Sequence, residues 1–287
     1  MGTTKTTMPG KNSLSVVVPV YNAAEELAHC LDSLHATLAA GTEVILIDDA
    51  SPDCAVQALL GIWKQRAVDG WRFERNTSNL GFVGTANRGM RLAQGDVVLL
   101  NSDTVTTPGW LQGLQRCLYS DESIGTATPW TNNGEIASIP AFCAPNPVPA
   151  DPAAVAHVVA LAGAAVYPSI PTAVGFCMAI SRRAIDRVGL FDEALFGKGY
   201  GEENDFSMRV SQAGMRNVLC DDVYVVHVGG CSFGPLGLKP DESSMQRLLS
   251  RHPAYLDIVQ EFIRQDPLSV RRQEIVTALE REGDRLG

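Results

Sequence analysis

Four short polar groups in this 287-residue chain carry side chains that can do chemistry. Asn101-Ser102-Asp103 follows the apolar run Val97–Leu100. It reads either as a plain turn, because these side chains bond their own backbone, or as oxygen ligands for a hard divalent cation. Asp48-Asp49 opens the turn "DDASPD", where a carboxylate either caps the turn or accepts an N–H from a ligand. Glu202-Glu203 opens "GEENDF" at the start of a helical pattern. Acidic charge there suits a helix N-terminus, and partial burial of the pair would raise a carboxyl pKa toward that of a useful general base. His227 closes "VYVVHVGG"; a histidine after a β run is ordinarily a packed, hydrogen-bonded residue and otherwise a metal ligand. Asp205 stands four residues before Arg209, the spacing of an ion pair on one helix face.

The elements between these groups follow a rule. "LSVVVPVYN" is a β-branched run stopped by a turn, and "AAEELAHCLDSLHATL" then places apolar residues at 27, 31, 34 and 38, one helix face. "EVILIDDASPD", "WRFERN" and "DVVLLNSD" read as further strands; "CAVQALLGIWKQRA" and "GFVGTANRGMRLAQG" read as the helices between them. Alternation of this kind predicts a parallel sheet with helices on both faces, and ligands at the carboxyl ends of the strands. Tyr21-Asn22, Asp48-Asp49 and Asn101-Ser102-Asp103 should therefore share one rim. Beyond Pro108 the pattern loosens. "TPGWLQGLQRCLYS" is expected to be a helix started by Pro108 near its first turn, "PAFCAPNPVPADP" a loop, and "DPAAVAHVVALAGAAV" a helix capped by Asp151. "TAVGFCMAISRRAIDRVG" reads as strand then helix, "GEENDFSMRVSQAG" as a helix stopped by Gly214, and "RNVLCDDVYVVHVGGCSF" as a strand pair or one bent strand.

Bulk composition narrows the function classes. The formal net charge is −9, which argues against a nonspecific nucleic-acid binder. Seven scattered cysteines without a CxxC pair argue against a disulfide framework or structural zinc, and suit a reducing, cytoplasmic setting. No run of about 18 apolar residues is present. The first twelve residues read as a disordered lead-in without the apolar centre of a secretory signal.

Six segments in order carry a family resemblance. "SVVVPVYNAAEELAHCLDSL", "VILIDDASPD", "NLGFVGTANRGMRLAQGDVVLLNSDTVTTPGWL", "GFCMAISRRAIDRVGLFDE", "GYGEENDFSMRVSQAGMR" and "VVHVGGCSF" resemble the inverting glycosyltransferases of family 2. Among these, they are similar to bacterial rhamnosyltransferase-like enzymes of polysaccharide and cell-wall synthesis. The resemblance implies a GT-A fold over residues 13–238, an α/β Rossmann-like, mixed and mostly parallel sheet flanked by helices, followed by a helical extension over 239–287. It implies metal-dependent transfer of a sugar from a UDP- or dTDP-linked donor to a hydroxyl of a glycan or lipid-linked acceptor.

Site roles follow from the same resemblance. Pro19, Tyr21 and Asn22 match the strand end around base and ribose, and Asp49 matches the residue contacting the base. Asn79, Gly81 and Asn87 match the loop-helix segment below the nucleotide. Asn101-Ser102-Asp103 occupies the DxD metal position, with Asn101 where the first aspartate would stand. Asp103 is then the metal ligand, while Asn101 and Ser102 contact the donor. His227 resembles a second protein ligand, and imidazole favours Mn2+ over Mg2+. Glu203 matches the general base, Glu202 an acceptor contact, Gly175 the acceptor side and Trp130 a wall for a sugar ring; Trp110 and Phe176 are expected to pack. The glycines after His227 and "FGPLGLKP" are expected to form a lid, with Lys239 within reach of a phosphate. Peripheral contact with the inner face of a membrane, and a partner domain on the C-terminal helices, complete the expectations.

Two rival readings stand beside this one. A nucleotidyltransferase would place a glycine-rich, basic loop after the first strand, where "PVYNAAEE" stands instead. A non-catalytic nucleotide-sugar-binding domain of a larger glycan-assembly protein is the alternative that Asn101 and Glu203 keep open.

Overall fold

The computed structural model describes residues 13–229 and 242–286. The lead-in, the segment expected to form a lid, Cys231 and Lys239 lie outside the described residues. The first half alternates as expected: β1 (Leu14–Val20), α1 (Ala24–Thr37), β2 (Val44–Asp48), α2 (Cys54–Gln65), β3 (Trp71–Arg75), α3 (Gly81–Leu92) and β4 (Asp96–Leu100). Next come β5 (Thr104–Val105), α4 (Trp110–Ser120), β6 (Ile124–Trp130), α5 (Pro152–Leu161), β7 (Cys177–Ile180), α6 (Arg182–Val188) and α7 (Glu193–Phe196). The chain continues through α8 (Glu202–Gln212), β8 (Arg216–Tyr224), β9 (Val226–His227), α9 (Glu242–Arg251), α10 (Tyr255–Gln265) and α11 (Ser269–Leu286).

Seven strands form one sheet in the order β3-β2-β1-β4-β7-β6-β8, with β7 antiparallel to both its neighbours and the other pairs parallel. β1, β2 and β4 are apolar throughout their middles because helices cover both faces. One core lies under α1, α2 and α4, and a second under α3, α6 and α8. The bent-strand expectation resolves into β8 and a two-residue β9 that leaves the main sheet and pairs antiparallel with β5.

Pro108 lies just before α4, near its first turn as expected, and Gly109, at φ 80°, caps that helix. "IGTATPW" is a strand, β6, which the loosened sequence pattern concealed. Gly125 and Pro129 weaken its local strand signal, but all seven residues are buried between β7 and β8, and Pro129 falls where the register shifts. By contrast, Asp53 and Asp151 cap α2 and α5 by accepting from Ala55 N (2.8 Å) and Ala154 N (2.9 Å).

The C-terminal helices pack back onto the domain. Leu248 and Tyr255 enter the core containing Phe191, Phe196 and Phe206, while Leu268 and Ile275 join Trp130 and Leu219. Among the described residues no helix is long and apolar enough to cross a membrane.

Gly81, the first residue of α3, fixes how close the chain after α7 can come. Its φ is +75°, and a Cβ there would lie 2.5 Å from Lys198 Cα. Phe82 N donates to Lys198 O at 2.9 Å across the same contact. Gly81→Ala is therefore expected to destabilise by roughly 1–3 kcal/mol, since both backbone strain and a backbone clash must be relieved. Chemical denaturation with an unchanged m-value checks it; a loss below about 0.3 kcal/mol would show that the close approach is slack.

Candidate active site

A pocket of about 270 Å³ opens at the carboxyl ends of β1, β2 and β4. β1 supplies Pro19, Val20 and Tyr21; the turn after β2 supplies Asp49; the start of α3 supplies Asn79, Gly81, Phe82 and Thr85. The end of β4 adds Asn101, Ser102 and Asp103. Val174, Gly175 and Phe176 close the opposite wall with Lys198, Tyr200, Glu202, Glu203 and His227. The crossover from β1 to the two strands beside it creates this crevice, which is where open α/β sheets hold ligands.

The β5–β9 ribbon brings the first pair of candidate residues together. Its register places Thr104 opposite His227, and Val228 N donates to Asp103 O at 3.0 Å. His227 Nε2 consequently faces Asp103 Oδ1 at 3.6 Å. His227 Nδ1 lies 2.6 Å from the carbonyl oxygen of Asn133, which can only accept, so Nδ1 carries the proton. In the neutral ring this leaves the Nε2 lone pair aimed at a carboxylate oxygen. Asp103 Oδ1 is buried and has no hydrogen-bond partner. Two acceptors face one another across a gap that a cation or a proton must fill. Phe176, stacked on the imidazole at 5.2 Å, and Asn132, bonded to both the N–H and the C=O of His227, hold the ring in place. These two donors fit a divalent ion that keeps open positions for other oxygen ligands, and second-partner support of the imidazole is what metal histidines need. Among the described residues no cluster of three or more His, Cys, Asp or Glu is arranged to hold a metal by itself.

Asp49 has a structural duty as well as a pocket face. Its Oδ1 accepts from Asn76 Nδ2 (2.7 Å) and Leu80 N (2.8 Å), and its Oδ2 from Gly81 N (2.8 Å). These bonds lock the carboxylate in place while leaving lone pairs free for a ligand donor. Asp48 turns away, pairing with Arg75 at 2.9 Å and accepting from Ser51 N.

Across the pocket, Glu202 and Glu203 begin α8 behind Gly201. Burial pushes the Glu203 carboxyl up to about 7, with Glu135 adding to the rise. Burial and then the neighbouring Glu203 raise Glu202 well above the usual carboxylate range. Glu202 Oε2 is buried without a partner. Thr172 and Glu203 both engage the Asn204 side chain, which fixes the first turn.

Three sequence expectations fall off the pocket wall. Asn87 faces α7, bonding both backbone groups of Phe191 and the Glu193 carboxylate. Trp130 is fully buried among Ile136, Leu219 and Tyr224, so its ring has no face for a sugar. Asn22 lies beside Tyr21 but outside the pocket lining, its N–H on Ser51 Oγ and its Oδ1 unpartnered. Sequence reading missed Lys198, Tyr200, Phe82, Thr85 and the orienting Asn133. "GKGYGE", glycines around a lysine and a tyrosine just before the acidic pair, was the visible signal for the first two.

Residues 15–141 match the model of the family described as glycosyl transferase family 2. This stretch, a little under half of the chain, is similar to a family 2 glycosyltransferase domain. The amylovoran biosynthesis glycosyltransferase AmsB of Erwinia amylovora is 35% identical over 88 residues, covering 30% of this chain and 29% of that protein. The uncharacterized glycosyltransferase YibD of Escherichia coli K12 is 30% identical over 118 residues, 40% of this chain and 33% of that one. The chain thus spans about a third of the length of these curated relatives. GalNAc-T7, solved with UDP, GalNAc and Mn2+, superposes with a TM-score of 0.64 at 16% identity, covering 85% of this chain and 48% of its own. Residues 1–349 of S. aureus TarS give 0.56 at 17% identity, with 93% and 80% covered. The chain therefore has the GT-A fold: a mixed, mostly parallel seven-stranded sheet between helices.

Proposed function

We propose that this protein is a divalent-metal-dependent, inverting glycosyltransferase that moves a sugar from a UDP- or dTDP-linked donor to a hydroxyl of a glycan or lipid-linked acceptor. A bacterial polysaccharide or cell-wall glycan is the product class. The observation that carries this reading is the unfilled pairing of Asp103 Oδ1 with His227 Nε2, set in one pocket with the raised carboxyl of Glu203.

The division of labour follows from the walls. Tyr21, Asp49, Asn79 and Gly81 form the end that receives the base and ribose, and a fixed carboxylate at Asp49 suits the N–H of uracil or thymine. Asp103 and His227 would hold Mn2+ or Mg2+, with Asn101 and Ser102 beside them on the donor. The ion's chemistry is to neutralise a diphosphate leaving group as a Lewis acid. Glu203 takes the proton from the acceptor hydroxyl as its oxygen bonds to the anomeric carbon from the face opposite the diphosphate. The anomeric C–O bond breaks, and its electron pair leaves on the diphosphate. Glu202 and Gly175 orient the acceptor.

Two protein ligands and no third among the described residues predict that ion and donor bind together. In a thermal-shift panel, UDP- or dTDP-sugar with Mn2+ is expected to raise Tm by far more than either component alone. Ligand at a hundred times its Kd adds about 2.7 kcal/mol to the native state by mass action. Tight Mn2+ binding to the nucleotide-free protein would contradict the shared site. No stabilisation by any nucleotide sugar with either ion would sink the function.

A further inference from the structure

We propose that Arg251, on the C-terminal helix α9, is a positioning residue of the catalytic centre: it ties together the two helices that flank the Lys198–Tyr200 wall and thereby sets where Glu203 points. The proposal rests on the reading of Glu203 as the base.

The chain between α7 and α8 is an unusual connector. Gly197, Gly199, Tyr200 and Gly201 all have positive φ, at 56°, 146°, 72° and 96°. Phe82 N holds the middle of this run at Lys198 O, its two ends lie on α7 and α8, and a non-glycine at φ 72° costs free energy that its surroundings must offset. Arg251 reaches both ends. Its Nη2 lies 2.7 Å from Asp192 Oδ2, and Asp192 caps α7 by accepting from Leu195 N. Its Nη1 lies 3.1 Å from Asp205 Oδ1, in the first turn of α8, two residues after Glu203.

Asp205 is fully buried, so its charge must be compensated. Arg209 Nε donates to Oδ2 at 2.8 Å, and His252 Nε2 donates to Oδ1 at 2.9 Å, with Gln212 on the other ring nitrogen. Arg209 also bonds the carbonyls of Val188 and Leu190, just before Asp192. Two guanidinium groups therefore bracket the start of α8, one from its own helix and one from α9. Leu248 on α9 and Tyr255 at the start of α10, on either side of Arg251 in sequence, are buried in the core that contains Phe206 and Phe196. α9 thus faces inward onto the catalytic helix.

An arginine can hold two carboxylates through separate nitrogens, whereas a lysine presents one point charge and reaches one of them. Arg251→Lys is therefore expected to keep the fold and the nucleotide Kd while kcat falls about 10-fold; a displacement of about 1 Å at a reacting group can cost about 100-fold. Arg251→Gln should lower kcat further. The measurements are steady-state transfer or donor hydrolysis, UDP binding by calorimetry, and Tm, all on the full chain. Wild-type kcat in both variants overturns the inference. So does a parallel fall of kcat and nucleotide affinity that tracks the fraction unfolded. If the wild-type chain itself shows no metal-dependent donor turnover, the proposed function has failed and not the brace.

Discussion

Asp103→Ala is expected to lower donor turnover by on the order of 10³-fold while leaving Tm unchanged or slightly raised in metal-free buffer. The two halves of this result have one cause. Oδ1 is buried, unpartnered and pointed at the Nε2 lone pair of His227. A buried acceptor without a donor costs about 1–3 kcal/mol, so removing it cannot harm the apo fold much. Fixed charge aimed at a developing anion contributes more to catalysis than most single contacts; losing one such group costs roughly 10²–10³, and losing the ion it holds costs at least that. An ordinary turn aspartate would behave in the opposite way, with Tm falling and turnover persisting. Activity assays with Mn2+, and Tm in chelator, separate the two. His227→Ala should weaken the same step less, because Asp103 retains the charge.

That contrast also shows how far the sequence could be read. The strand ends were legible because β1, β2 and β4 are uninterrupted apolar runs closed by polar residues, and a parallel sheet puts such ends together. Asp103 and Glu203 drew their expected roles from the family resemblance of the motifs around them. The partnership of Asp103 with His227 was expected from the family resemblance alone, because the two-residue ribbon that makes it, β5 with β9, has no local sequence signal. Strands that short carry no periodicity. Asn87 and Trp130 went to the wrong side for a related reason: an asparagine in a helix and a tryptophan ending a strand do not announce which face they turn to. Asn87 was drawn to the backbone of Phe191, and Trp130 to the core where β6 meets β8. Arg251 was invisible because its two carboxylates lie 59 and 46 residues away.

Glu203→Gln should lower kcat by roughly 10²–10⁴, the range a positioned general base contributes, with donor Kd little changed. The pH profile gives the sharper test. With its carboxyl raised to about 7, Glu203 can serve as the proposed base only when ionised. Wild-type kcat is therefore expected to rise through an apparent pKa near 7 and level off above it, and this limb should vanish in the glutamine variant. The same shift has a consequence for stability. A group that ionises near 4.5 in the unfolded chain and near 7 in the fold binds more protons when folded across that window. Stability must then fall as pH rises between these values and stay reduced above them. Glutamine carries no such penalty, so the variant should melt higher than wild type at about pH 8, with the difference closing below about pH 4.5. Glu202, raised by burial and then by Glu203, sets a further slope of the same sign; the glutamine variant relieves part of that rise too, so the difference between the proteins reports the pair. Equal melting of the two proteins at high pH would mean the carboxyl is better solvated than its burial implies, and full transfer by the variant would remove Glu203 from the chemistry.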